Sequence, residues 1–381
     1  MTQLEGIFLA RPENPSAGIP LAVKDLFDTA GLVTTYGSIL FAEHVPSETA
    51  EAVRLLEAAG YANVGKANLH EFAFGTTSEN PHFGTVPNPL AAGRLAGGSS
   101  GGSAAALAAG LAEAALGSDS GGSIRIPAAC CGVVGFKPTY GLVPLDGCFP
   151  LAPSFDHAGP MARDVAGCAR MLEALAPGFT PEQLELEDVE VGVAWTELAD
   201  PQVRARVEAA AELFPRRRRL DLPLPDHFYD AFSREVADVH RELFLEHADS
   251  YGDNVREKVE RCLEVTDAEY ERATTRRERY REQLAEGAAG VDVLLTPTLT
   301  CVAPPAPSDE LALRESLIRL TFPFNATGWP AAALPCGAAE HGLPASVQLA
   351  APPGKDARVL AVAAALERAL CPSISVTRSS E

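Results

Sequence analysis

Four serines and one lysine are the residues of this chain whose types and spacing could do covalent chemistry. The stretch "SDSGGSIRIP", residues 118–127, holds Ser120 and Ser123 in a glycine-rich turn, and "GGSSGG", residues 97–102, holds Ser99 and Ser100 in another. Lys24 lies in "LAVKD". A serine hydroxyl is a weak nucleophile until a base takes its proton. The choice of nucleophile is therefore also a choice of base.

Asp119-Ser120-Gly121-Gly122 has the residue order of a trypsin-type nucleophile loop. That chemistry belongs to an all-β barrel with histidine and aspartate upstream, whereas this chain alternates strands with long helices. Gly98-Ser99-Ser100-Gly101-Gly102 also fits the GxSxG elbow, which wants an acid and a histidine later in the chain. Only Asp156-His157 offers such a pair. The alternative base is a lysine: Lys24 reads on its own as a charged residue at a strand end reaching water, and would have to be neutral to serve. An ordinary lysine titrates near 10.4, so burial would have to bring it to about 7. The apolar run "IPLAV" before it agrees with burial.

The elements that would position these residues read as an α/β chain. "GIPLAVKD" predicts a strand, "SETAEAVRLLEAAG" an amphipathic helix begun by Ser47 and closed by Gly60, and "YANVGKA" a second strand. Strand, helix, strand at this length is the βαβ pattern of a buried parallel pairing. "GGSSGGSAAALAAGLAEAALGSDSGGS" then predicts a turn, a small-residue helix, a short strand ending near Leu116 or Gly117, and a second turn. Both glycine-serine turns thus fall at element ends, where backbone N–H groups are free. Residues from about 177 to 290 are helix-rich and charged, and "VDVLLTP", "PAAALPC" and "PASVQLA" within 291–370 return to strand patterns. One domain, 1–381, with a helical excursion is expected.

Composition narrows the class of partner. A formal net charge of −20 disfavours a nucleic-acid backbone or an anionic membrane as ligand. The basic run Arg216 to Arg219 reads as a solvated stretch beside a strand. The start of the chain does not have the pattern of a secretory signal, and no apolar run reaches membrane-spanning length. A cytoplasmic location is expected. Eight cysteines, including Cys130, Cys131 and Cys371, show no CxxC spacing. With no histidine–carboxylate cluster at ligand spacing either, neither a metal nor another cofactor is expected.

Taken together, "IPLAVKDLFDTAGLVTTYGS", "NLHEFAFGTTSENPHFGTVPNP", "GGSSGGSAAALAAG", "GSDSGGSIRIPAACCGVVGFKPTYGLVP" and "PLAPSFDHAGPMARDV" resemble the amidase signature family, in that order, over residues 18–176. The resemblance weakens through the helical middle and returns in "DVLLTPTLTCVAPP", "FPFNATGWPAAALPCG" and "GLPASVQLAAPPGKDARVLAVAAALE". It implies an α/β fold with a large mixed, mostly parallel β-sheet core covered by helices on both faces. It also implies a Ser–cis-Ser–Lys triad of Ser123, Ser99 and Lys24, with a cis peptide before Ser99. In that reading Ser123 attacks an amide carbonyl, Ser99 relays the proton, and Lys24 accepts it. Backbone N–H groups of Ser120, Gly121, Gly122 and Ser123 would form the oxyanion hole. Ser100, Asp119 and Arg125 would orient the loops, and Ala73, Phe74 and Thr76 fall where relatives line the acyl pocket. Trp195, Phe322, Phe324 and Trp329 offer either pocket walls or core packing.

The expected substrate is a small-molecule amide, with an ester as a chemically easier alternative on the same triad. Two other readings stand beside a free amidase: an amidotransferase A-type subunit that hydrolyses glutamine for a partner, and a non-catalytic scaffold. Only 23 residues precede Lys24, where the family has a longer helical segment. In several relatives that segment helps form a dimer, so a homodimer and a monomer both remain open, and the gorge is expected to be more open than usual.

Overall fold

A computed structural model describes residues 5–225 and 228–370, so Cys371 lies outside the described residues. The strand-rich first part contains β1 (Phe8–Ala10), β2 (Ile19–Lys24), β3 (Tyr61–Ala67), the short hairpin β4 (Glu79–Asn80) and β5 (Gly84–Thr85), β6 (Ala114–Ser118), β7 (Val134–Lys137) and β8 (Ala158–Ala162). Between these strands run α1 (Glu51–Ala58), α2 (Gly101–Ala108) and α3 (Arg125–Cys131), and α4 (Val165–Leu175) follows β8. The helix expected from Ser47 begins four residues later, with Ala50 as its N-cap and no side-chain cap. It ends before Gly60, which has φ +90°.

The later part adds β9 (Glu190–Val193), α5 (Pro201–Glu212), β10 (Arg216–Arg219), α6 (Tyr229–His247), α7 (Asp253–Leu263) and α8 (Asp267–Gly287). After these come β11 (Val293–Pro297), α9 (Glu310–Ile318), α10 (Phe322–Thr327), β12 (Ala331–Ala338), β13 (Pro344–Ala350) and α11 (Asp356–Leu370). α8 opens with a reciprocal cap in which Thr266 and Glu269 satisfy each other's backbone N–H. The helix-rich segment also supplies two strands. Arg216 to Arg219 are exposed beside a strand, β9, and themselves form the edge strand β10, where charge discourages pairing with another chain.

Eleven strands form one mixed sheet in the order β1-β3-β2-β6-β8-β7-β12-β13-β11-β9-β10. Its parallel pairs are β2 with β3 and β6, and β9 with β10 and β11. The strands between those two groups pair antiparallel. Helices cover both faces, as expected for an amidase signature fold, and strand alternation separates two apolar layers. Leu21, Val23 and Leu116 join the layer that includes α1 and α4, while Ala22, Ala115 and Met161 meet α2. The alanines of α2 let that helix sit close to the sheet, and Ala104 to Leu107 are wholly buried. Among the described residues no helix is long and apolar enough to cross a membrane.

Candidate active site

Parallel pairing sets β2 and β6 side by side, so their C-terminal ends, and the turns that leave them, open into one crevice. Lys24 ends β2, and Ser118 ends β6. Ser100 is the N-cap of α2, and the turn 119–124 leads directly into α3. The two glycine-serine turns therefore meet beside a buried lysine.

Lys24 is fully buried. Its Nζ donates to Ser99 Oγ at 2.6 Å and to Ser118 Oγ at 2.8 Å. Burial lowers its pKa from 10.5 to about 7, against the weaker raising influence of Cys148, Asp119 and Asp156. The Gly98–Ser99 peptide is cis. The Ser99 carbonyl is held by the Ser78 hydroxyl at 3.2 Å and the His70 N–H at 3.2 Å. Ser123 is joined to the first turn through its backbone, because the Ser100 N–H donates to the Ser123 carbonyl at 3.1 Å. Its hydroxyl makes no hydrogen bond among the described residues and lines an open cleft with about 320 Å³ of empty space.

The 119–124 turn is built around one carboxylate. Asp119 accepts from the N–H groups of Gly122 at 2.7 Å and Ile124 at 3.2 Å, from two nitrogens of the Arg125 guanidinium at 2.9 Å, and from Asn325 at 2.8 Å. Burial alone would raise the Asp119 carboxyl, but Arg125 beside it holds it well below the usual carboxylate range. Arg125 continues to the Thr321 carbonyl, Gln348 Oε1 and Asn325 Oδ1 at 2.6–2.8 Å. Asp119 and Arg125 are thus buried organisers of the turn rather than ordinary turn residues. Ser100 plays a smaller part, donating to the Ser118 carbonyl at 3.2 Å.

One expected donor needs correction. The Gly122 N–H is already given to Asp119, so it is not free for a substrate oxygen. No hydrogen bond among the described residues uses the N–H of Ser120, Gly121 or Ser123. Gly122 has φ +137°, and a Cβ there would meet Thr321 Oγ1 at 2.3 Å, so glycine is required for the turn to pass Thr321. The Thr321 hydroxyl in turn donates to the Gly121 carbonyl at 2.6 Å.

The rival readings lose their base. His157 Nδ1 lies 2.7 Å from the Phe155 carbonyl, Nε2 is buried without a partner, and no serine hydroxyl among the described residues reaches the ring. Burial also pushes the pKa of His157 far below its ordinary value. The Ser120 hydroxyl donates to Asp156 at 2.5 Å, a structural link with no histidine in it.

Ala73, Phe74 and Thr76 come together with Ser120, Gly121 and Ser123 around the cleft. Of the four aromatics singled out, Phe322 lines it. Trp195, Phe324 and Trp329 are buried neighbours packed on one another. Sequence reasoning missed Ser118, Thr321, Asn325 and Gln348, and on the cleft wall Tyr229, Phe232 and Arg314. Asn325 and Gln348 had a signal, since each is a lone amide inside an apolar run that folding buries. Among the described residues no cluster of three or more His, Cys, Asp and Glu could hold a metal ion.

The family model described as Amidase matches residues 4–360. The chain is 39% identical over 407 residues to the A-type subunit of the glutamyl-tRNA(Gln) amidotransferase of Thermus thermophilus, covering 94% of this chain and 86% of that one. Among solved structures it is similar to an amidase crystal structure, with TM-score 0.85 and 38% identity over 92% of this chain and 84% of that one. The A-type subunit of the glutamyl-tRNA(Gln) amidotransferase of Thermotoga maritima superposes with TM-score 0.82 at 31% identity, covering 95% and 87%.

Proposed function

The chain belongs to the amidase family, and we propose that it hydrolyses a small carboxylic amide through Ser123, Ser99 and Lys24. The observation that carries this reading is a wholly buried lysine amine, brought to about 7, at 2.6 Å from the Ser99 hydroxyl. A lysine so placed is neutral often enough near pH 7 to accept a proton.

The steps follow from the groups present. Ser99 passes a proton to Lys24 Nζ and takes the proton of Ser123, whose Oγ bonds to the amide carbon. The carbonyl electron pair moves to oxygen, where the N–H groups of Ser120, Gly121 and Ser123 lie free to receive it. Collapse of the tetrahedral adduct breaks the C–N bond, and the proton on Lys24 returns through Ser99 to the leaving amine. Water then attacks the acyl-serine by the same relay, releasing the acid and restoring Ser123. Asp119 and Arg125 hold the turn that aims these groups.

Strands from 18–176 and from 291–350 pair in one sheet, which supports reading the described residues as a single domain. Seven described cysteines are free, as suits a reducing, cytoplasmic setting. A second reading, in which the chain hydrolyses glutamine within an amidotransferase, is favoured by the names of the curated relatives.

A serine-reactive fluorophosphonate tests the nucleophile. Mass spectrometry is expected to find the adduct on the peptide carrying Ser123, absent in Ser123→Ala and retained in Ser120→Ala. An adduct on Ser100 or Ser120 would sink the assignment.

A further inference from the structure

Arg314 lines the wall of the cleft, and behind it Lys258 and Glu310 form a buried ion pair that leaves the arginine's charge uncancelled. Lys258 Nζ lies 2.9 Å from Glu310 Oε2, both side chains buried. The other oxygen of Glu310 accepts from the Thr76 N–H at 3.2 Å. That carboxylate is therefore engaged on both oxygens before Arg314, one turn along α9, is considered.

Arg314 donates to the Tyr229 hydroxyl, and its guanidinium carbon lies 5.2 Å from the Phe74 ring centroid and 5.0 Å from that of Tyr229. Its Nε is buried and bonded to nothing, and it forms no ion pair, among the described residues. A guanidinium with a desolvated, unused N–H is costly unless something supplies an acceptor. Tyr229, which accepts from Arg314, keeps its own phenolic proton to donate. Burial raises that phenol to about 12, so it stays protonated.

Both side chains line the cleft that holds Ser123, and both also line a wider outer groove with about 1460 Å³ of empty space. That groove is lined by Lys258, Arg261, Arg314, Arg319 and Glu315; Lys258 is paired with Glu310 and Arg261 with Glu257, which leaves Arg314 and Arg319 beside Glu315. Arg314 and Arg319 thus carry charge that no ion pair among the described residues takes up, in a chain whose net charge is −20. A neutral amide would use none of this.

Resting on the reading of Ser123 as nucleophile, we propose that Arg314 and Tyr229 bind a carboxylate on the acyl part of the substrate. The preferred substrates are then monoamides of short dicarboxylic acids. Phe74, under the guanidinium, lines the same cleft as Ser123, so the charge and the nucleophile share one cavity.

The test compares amides of equal carbon count, succinamate with butanamide and glutaramate with pentanamide, by ammonia release. The wild type is expected to favour the carboxylated member by about 10- to 100-fold in kcat/KM. In Arg314→Met that ratio should fall to within about threefold, mainly through KM, as loss of uniform binding does. Arg314→Lys should recover part of it, since an ammonium keeps the charge without the fork. Succinate or glutarate should compete in the wild type and not in Arg314→Met. A purely structural arginine would lower both members together and leave the ratio intact, which overturns the proposal. So does a wild-type ratio near one with butanamide hydrolysed and Ser123 labelled. If no amide is hydrolysed and Ser123 takes no label, the hydrolytic reading itself fails and takes this inference with it.

Discussion

Lys24 carries the pH dependence that the proposed mechanism requires. Its amine must be neutral to accept the proton, and burial brings it to about 7. Activity should therefore fall as pH drops through about 7, the protonated ammonium being the inactive form. The check is kcat/KM against pH on one amide, with the acidic limb expected near 7 in the wild type and missing from the residual activity of Lys24→Ala. Lys24→Arg should do no better than Lys24→Ala, because a guanidinium stays charged at any usable pH. A Lys24→Arg enzyme within about tenfold of wild type, about 1.4 kcal/mol in barrier, would refute a lysine base. Ser99 and Ser118 both accept from Nζ, so burial costs the lysine its hydration without leaving it unbonded.

Between elements, Arg125 ties the N-terminus of α3 to α10 and β13 through Asp119, Asn325, the Thr321 carbonyl and Gln348. Arg125→Ala would leave Asp119 buried without its cation, and should cost about 3–5 kcal/mol in urea unfolding at pH 7. The sign with pH follows from the depressed carboxyl of Asp119. Its contribution is full above the unfolded value of about 3.9 and is lost as pH falls toward the folded one. Removing Arg125 raises that folded value, so the variant should lose less stability on acidification than the wild type, and the gap between the two should narrow as pH falls below about 3.9. A variant unfolding within about 1 kcal/mol of wild type would show the network to be dispensable. This network also marks what sequence reasoning could reach. Lys24, Ser99 and Ser123 were legible because each lies in a short motif that repeats a family pattern, and β2, β3 and β6 because apolar runs there end in turn residues. Asn325 and Gln348 stand out as lone amides in apolar runs, but their role was not legible, because their partner is 200 and 223 residues away in the chain. Tyr229 and Arg314 come from α6 and α9, whose sequence carries no local signature, and only packing turns them toward the cleft. The spent N–H of Gly122 was hidden for another reason: residue types do not reveal which backbone donors a neighbouring carboxylate claims.

For the chain as a unit, the question is whether it needs company. Curated relatives carry the name of an amidotransferase component, which makes dependence on a second chain the alternative to test. Within this chain the proposed base, relay and nucleophile come from β2 and from the turns before α2 and α3, and part of the cleft wall comes from α6, α9 and α10. Each group the proposed reaction uses is thus supplied by one polypeptide. The strongly negative net charge further disfavours close self-association at low salt, since like charges repel across an unscreened interface. Purified chain should therefore release ammonia from a small amide without added protein. Its specific activity should also stay constant on dilution from micromolar to nanomolar concentrations, because no assembly has to be maintained. Activity that vanishes on dilution would mean that an oligomer completes the site. Activity that appears only with a second protein, and only with glutamine, would replace the free amidase by the amidotransferase reading.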